Sequence, residues 1–294
     1  FLLALGAILA KHLLSAGQTS GLSIHPLPLL TLQLGGGLVF LCIARAWRDG
    51  PVDPLRLLVR PAYAGLVLGL GSVGTIMALA LISASEASVL FATQPVLMLG
   101  LAWALLGERV AVCTIVVALC AVAGVVTIII GGGLEGSTNR AVGFICALVS
   151  TACAALYVVW MRGLSGKVDP LTALIVVQSV ACLMSALLWA GAAGLGMMPI
   201  GIGTQSLLWA AAGTGVIYYG AAFGLYLMGL QTVQASIAGI YLNLVPVFTI
   251  GLAYILLGER LTALQWMGAF TVLLSIAAIS VLGLHDRTRT QNNR

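Results

Sequence analysis

The amino-acid sequence predicts an all-α membrane protein of ten transmembrane helices, laid out as two inverted five-helix repeats. Three features predict it: long apolar runs almost free of charge, basic residues gathered in alternate loops, and one motif that occurs twice. Of 294 residues, 61% are hydrophobic and 7% charged, against about 45–50% and about 25% in a soluble domain. Hydrocarbon offers the backbone no hydrogen-bonding partner, so only helices and closed barrels span it. Barrel strands need ~9–11 residues of alternating character, and the runs here are far longer and apolar throughout.

Taking ~20 apolar residues per crossing, the first five spans run from Leu2 to Gln18, Leu27 to Ala46, Pro61 to Ser83, Ala87 to Leu106 and Val110 to Ile130. The second five run from Ala141 to Met161, Leu171 to Gly191, Leu207 to Leu230, Ala235 to Leu257 and Leu264 to Leu282. The chain thus divides into a first repeat, residues 1–130, a second repeat, residues 141–282, and a polar cytoplasmic tail, residues 283–294, expected to be disordered from His285 onward. Phe1 already lies inside an apolar run. An initiator Met and a short leader are therefore expected ahead of it, and nothing resembles a cleavable signal.

Ten crossings return both termini to one side. That side carries Arg45, Arg48, Arg56, Arg60, Arg109, Arg162, Lys167, Arg287, Arg289 and Arg294, while the opposite loops hold only Arg140 and Arg260, and Lys11 sits within the first span. Basic loops stay in the cytoplasm, so both termini are read as cytoplasmic, in a membrane of the bacterial inner (plasma) type. The net charge of +5 belongs to these loops. It forms no basic stripe with interleaved aromatics, and no nucleic-acid partner is expected.

The repeat is visible in the residues. Gln94-Pro95-Val96 is followed by Leu105-Leu106-Gly107-Glu108-Arg109, and Val245-Pro246-Val247 by Leu256-Leu257-Gly258-Glu259-Arg260, with proline and LLGER both displaced by 151 residues. Ala87-Ser88 recurs as Ala235-Ser236 at a displacement of 148, so the second copy carries three extra residues before its proline. Five spans per unit is odd, which turns the second unit upside down in the membrane. Inverted repeats allow one midplane site to open to each side in turn.

The Ala-Ser…Pro-Val…Leu-Leu-Gly-Glu-Arg pattern in both halves, extended in the second by Leu261-Thr262-Ala263-Leu264-Gln265-Trp266-Met267-Gly268, resembles the EamA-type branch of the drug/metabolite transporter superfamily over nearly the whole chain. The resemblance implies ten helices, with spans one to four and six to nine around a central cavity and five and ten more peripheral. It also implies transport of amino acids, other metabolites or xenobiotics, often outward.

The candidate site residues are polar groups that a span tolerates only beside water, a partner or a ligand. Lys11 and His12 lie near the middle of the first span, where an unpaired charge costs at least ~2.5–3.5 kcal/mol; a substrate or coupling role stands beside snorkelling to the surface. Glu86 opens the fourth span and is the coupling candidate, through a pair with Lys11 and protonation, the alternative being an exposed turn residue. Pro95 and Pro246 each remove a helical hydrogen bond near mid-span, either to open a site or to improve packing. Gln94 and Asn243 flank them, and Gln178, Tyr218, Tyr219, Tyr241 and Trp160 complete the substrate-binding set, with Trp160 and Tyr157 equally suited to an aromatic belt. The two LLGER motifs are read first as turns and anchors.

The six cysteines, Cys42, Cys113, Cys120, Cys146, Cys153 and Cys182, lie in apolar runs without metal-ligand spacing and are expected to be small buried hydrophobes. No metal or cofactor is implied. Gly65-xxx-Gly69 and Gly220-xxx-Gly224 have close-packing spacing. The readings converge on a secondary transporter, not an enzyme, that exports a small metabolite, an amino acid or similar zwitterion or organic anion, by alternating access around a midplane cavity. Multidrug or xenobiotic efflux is the alternative. A membrane-embedded enzyme or scaffold stands behind both, since no Gly-x-Ser-x-Gly elbow, HExxH, intramembrane aspartate pair or P-loop occurs. Partners are the lipid bilayer and a small-molecule substrate; proton coupling and a monomeric or homodimeric state stay open.

Overall fold

A computed structural model describes residues 1–20, 24–47, 59–106, 112–132, 137–162, 168–196, 205–226 and 244–292. Every regular element among them is a helix: α1 (Leu2–Ser20), α2 (Pro26–Ala46), α3 (Val59–Leu81), α4 (Ala84–Ala92), α5 (Gln94–Leu106), α6 (Val112–Gly131), α7 (Ser137–Arg162), α8 (Pro170–Gly194), α9 (Gln205–Gly215), α10 (Leu244–Leu252) and α11 (Ala263–Asn292). Two continue as π-helix, α9 through Val216–Ala222 and α10 through Ala253–Leu257. Among the described residues, five segments are long and apolar enough to cross a bilayer, namely Pro26–Ala46, Val59–Leu81, Thr138–Val158, Pro170–Gly194 and Gln205–Tyr226. Four shorter apolar helices accompany them, Leu2–Ser15, Ile115–Gly131, Leu244–Leu257 and Ala263–Ala278.

The expected fourth span is two helices. Pro95 has no N–H to offer the Phe91 carbonyl, and the ladder of α4 stops at Ala92. The Thr93 N–H and hydroxyl both donate to the Leu90 carbonyl, at 3.0 and 2.6 Å. Val96 N–H then donates to Thr93 O at 2.9 Å as α5 begins. Pro95 thus stands in the first turn of a new helix, where its missing N–H leaves nothing unpaired. Pro246 is buried in α10.

Glycine sets the helix contacts, because a missing Cβ lets backbones approach. Gly65 and Gly69 of α3 meet Val177–Ala181 of α8, and Gly71 and Gly74 of the same helix meet Cys146, Ser150 and Cys153 of α7. Gly36 and Gly37 of α2 lie on α9, where Gly215 touches the Gln33 backbone; Gly220 packs on Phe40. Gly124 and Gly268 face each other where α6 crosses α11. Those two helices pack mainly on each other and reach the rest at α4 and α5.

One core cluster joins Ile8, Leu29, Leu30, Leu34, Ile76, Leu90, Val125 and Ile276 from six helices. On the outside of α6, Ile115, Leu119, Val122, Val126 and Ile130 form an exposed helical stripe. Water would not tolerate such a surface, and lipid does. The same reason corrects the cysteine expectation: Cys42, Cys113 and Cys120 are exposed and the other three half-buried, all as free thiols. Hydrocarbon accepts an apolar thiol as readily as a protein core does. The tail also departs from expectation. Helix α11 continues to Asn292, since no Gly or Pro follows Gly283 to stop it.

Candidate functional site

Polar side chains collect in two zones. The first lies where α3, α4, α6, α7, α10 and α11 meet at one end of the bundle. Ser83 and Glu86 form a capping box on α4: Glu86 N–H donates to Ser83 Oγ at 3.1 Å, while Ser83 N–H and Oγ donate to Glu86 Oε2 at 3.1 and 2.9 Å. The other carboxylate oxygen, Oε1, accepts from Gln265 Nε2 at 2.7 Å and pairs with the Arg140 guanidinium. Glu86 is 2% exposed. It is neither an exposed turn residue nor paired with Lys11.

Glu259 reaches the same helix from α10. Gly258 takes a left-handed φ of 66°, which glycine adopts without a Cβ penalty, and Glu259 N–H bonds back across the turn to Ala253 O at 3.2 Å, closing the π-helix. The turn aims the Glu259 carboxylate at the first turn of α4, where it accepts from Ala84 N–H at 2.9 Å, Ser85 N–H at 3.1 Å and Ser85 Oγ at 2.9 Å. Two carboxylates therefore stabilise one helix N-terminus, where the dipole favours negative charge. Gln265 is held by its own capping box with Thr262. Lys11 donates to the carbonyls of Leu79 and Ile82, at 2.7 and 2.8 Å, so it caps the C-terminal end of α3 within electrostatic reach of Glu259 and Glu86.

The second zone is a neutral layer inside the bundle. Gln33 of α2 donates to Thr214 of α9 at 2.9 Å, and Gln178 of α8 donates to Leu34 O at 3.1 Å. Tyr219 lies against Gly37, with Ser72 of α3 beside it. Thr31 and Ser185 share a bond of 2.8 Å, and Thr75 and Ser150 one of 2.6 Å. The π-helical part of α9 matters here, because each π turn carries an extra residue, a feature frequent at functional sites. It lets adjacent tyrosines both point inward: Tyr218 packs on Gly6 of α1, Tyr219 on α2, with ring centroids 4.9 Å apart.

The EamA-like transporter family matches this chain twice, over residues 1–130 and residues 141–281. The chain belongs to the EamA-like transporter family. A solved structure described as "Crystal structure of protein" shares the fold, with a TM-score of 0.64 and 22% identity over 96% of this chain and 97% of that one. None of the curated proteins matches.

Placed on this EamA-like, multi-pass membrane chain, the sequence candidates separate. Gln178, Tyr218 and Tyr219 come together in the neutral layer, Lys11 and Glu86 in the charged zone. Gln94 and Pro95 sit half-buried at the α4–α5 break, whereas His12 and Trp160 are exposed. Tyr241 and Asn243 lie outside the described residues. Sequence reasoning missed Gln33, Thr214 and Ser72, although each is a polar residue deep in an apolar run. It also missed Arg140 as the partner of Glu86, a pairing across 54 residues that no local motif announces.

Proposed function

We propose that this EamA-like protein is a secondary transporter that exports a small metabolite, an amino acid or similar zwitterion or organic anion, by alternating access between two inverted five-helix repeats. The carrying observation is the double family match, one copy on each side of residue 135. Inversion finds support in the two LLGER-bearing spans: α4, the first part of the span that carries Pro95, begins at the bundle end where α10, the second part of the span that carries Pro246, finishes on Glu259. Equivalent helices then run in opposite directions. With ten spans in an inner (plasma) membrane and cytoplasmic termini, that end faces outward, while Arg45 of α2 pairs with Asp169 of α8 at 3.9 Å on the cytoplasmic side.

The neutral layer around Gln33, Gln178, Thr214, Tyr218 and Tyr219 is the proposed substrate zone, with Gln94 at the neighbouring helix break. Lys11 joins it only through whatever donor capacity its two carbonyl bonds leave. An aromatic cluster of Tyr218, Tyr219 and Phe223 favours efflux of an aromatic drug as the second reading.

Two measurements test the proposal. Single cysteines beside Arg140 and Arg260 should react with an impermeant reagent added outside, and those beside Arg48 and Arg109 should not; reaction of Arg109 and Arg260 neighbours from the same side ends the inverted reading. In proteoliposomes, a panel of amino acids, organic anions and drugs is offered with and without a pH gradient. Flux of metabolites supports the proposal, flux of drugs alone supports the second reading, and flux of nothing overturns both.

The α4–α5 break is expected to matter for movement more than for folding. Pro95→Ala restores an N–H and favours one continuous helix. Insertion and melting temperature should hold while transport slows by about tenfold, equivalent to about 1.4 kcal/mol in the barrier. Unchanged flux would make Pro95 a packing feature.

A further inference from the structure

We propose that Glu86, Arg140, Glu259 and Gln265 form the latch of the outer end, closed in this conformation and parted in the one open to the outside. The inference rests on the transport reading and adds the groups that hold one gate shut. Its first support is convergence: α4 belongs to the first family-matched segment, Glu259 and Gln265 to the second, and Arg140 stands just before it. Parting the two segments at this end breaks these bonds together.

Its second support is dryness. A carboxylate at the end of a span would ordinarily meet water and headgroups, yet Glu86 is buried, as are Ala84, Ser85 and Ala87 around it. A carboxylate taken out of water recovers little of its desolvation cost from an ion pair, so Glu86 with the part-exposed Arg140 is a poor source of stability; fixing one conformation against another is the best-attested use of such a pair. The third support is the acceptor itself. Ala84 and Ser85 N–H, at the buried start of α4, have Glu259 as their acceptor, and withdrawal of α10 takes it away, leaving donors that water satisfies once the end opens. Gly132 closes the cluster just after α6, so near the Arg140 and Glu86 side-chain ends that a Cβ there would push the pair aside.

A static cap and a latch differ in what lies beneath them when they fail. Ser88 lies one turn into α4 and is buried. In protein with the six native cysteines replaced by alanine, Ser88→Cys should label slowly with an impermeant methanethiosulfonate added outside. Adding Glu259→Gln or Arg140→Gln, each of which removes charge-assisted bonds, should speed labelling by about tenfold or more. Val272→Cys, buried between α6 and α11, should keep its rate. Should either variant fail to fold, Gly132→Ala disturbs the same pair without removing a charge, and it too should speed labelling at Ser88→Cys. Unchanged labelling overturns the latch, and so does parallel acceleration at Val272→Cys, which reports general loosening. Flux is measured on the same preparations: flux with unchanged labelling removes the latch and leaves the transporter, whereas faster labelling without flux of any solute removes the transporter and leaves a conformational clasp.

Discussion

Arg140→Met should cost about 2–3 kcal/mol of folding stability, because it takes the counter-charge from the buried Glu86 carboxylate, while the guanidinium it removes is itself part-exposed. Glu86 accepts from Ser83 N–H and Oγ and from Gln265 Nε2 as well as from Arg140, so the remaining donors soften the loss without supplying charge. Combining Arg140→Met with Glu86→Gln removes both ions and should recover most of it, since a neutral amide needs no buried counter-ion. Denaturation in detergent micelles of the parent, both single variants and the double variant closes the cycle. If Arg140→Met melts with the parent, Glu86 is hydrated and the network is not the buried one described.

The second large effect belongs to α2 and α9. A Cβ on Gly215 would fall on the backbone of Gln33 itself, which no rotamer change relieves, so Gly215→Leu should force the two helices apart. The expected cost is about 3 kcal/mol or more, with loss of the Gln33–Thr214 bond and of transport. Gly35, one helix face away, has nothing within 4 Å of its own Cβ position. Gly35→Ala should therefore leave both melting temperature and flux unchanged. Equal behaviour of the two variants would mean that α2 and α9 do not meet as described.

How much the sequence reveals follows from which forces are local. A helix end is legible where hydropathy falls sharply: the sequence predicts α2 from Leu27 to Ala46 and the structure has it at Pro26–Ala46, whereas α11 runs past its apolar stretch to Asn292. Pro95 announced the α4–α5 break and Gly258 the turn after α10, since both act on their own backbone. The inward and outward faces of each span were illegible, because lipid and core are equally apolar; the exposed cysteines and the exposed α6 stripe were hidden for this reason. Lys11 was read against side chains, but its partners are the carbonyls of Leu79 and Ile82, which every sequence possesses. Gln33 and Thr214, 181 residues apart, needed the packed helices to bring them together.

The charged zone joins two cations, Lys11 and Arg140, to two anions, Glu86 and Glu259. All four sit at one end of the bundle, and their charges sum to zero. Moving one elementary charge across a bilayer against 100 mV is worth about 2.3 kcal/mol. A rearrangement that pulls these groups apart sideways, within one depth of the membrane, moves none. An opening of that kind, as proposed above, draws no voltage dependence from these four groups; dependence found in flux would then trace to other charges, such as those of the solute or of a coupled ion.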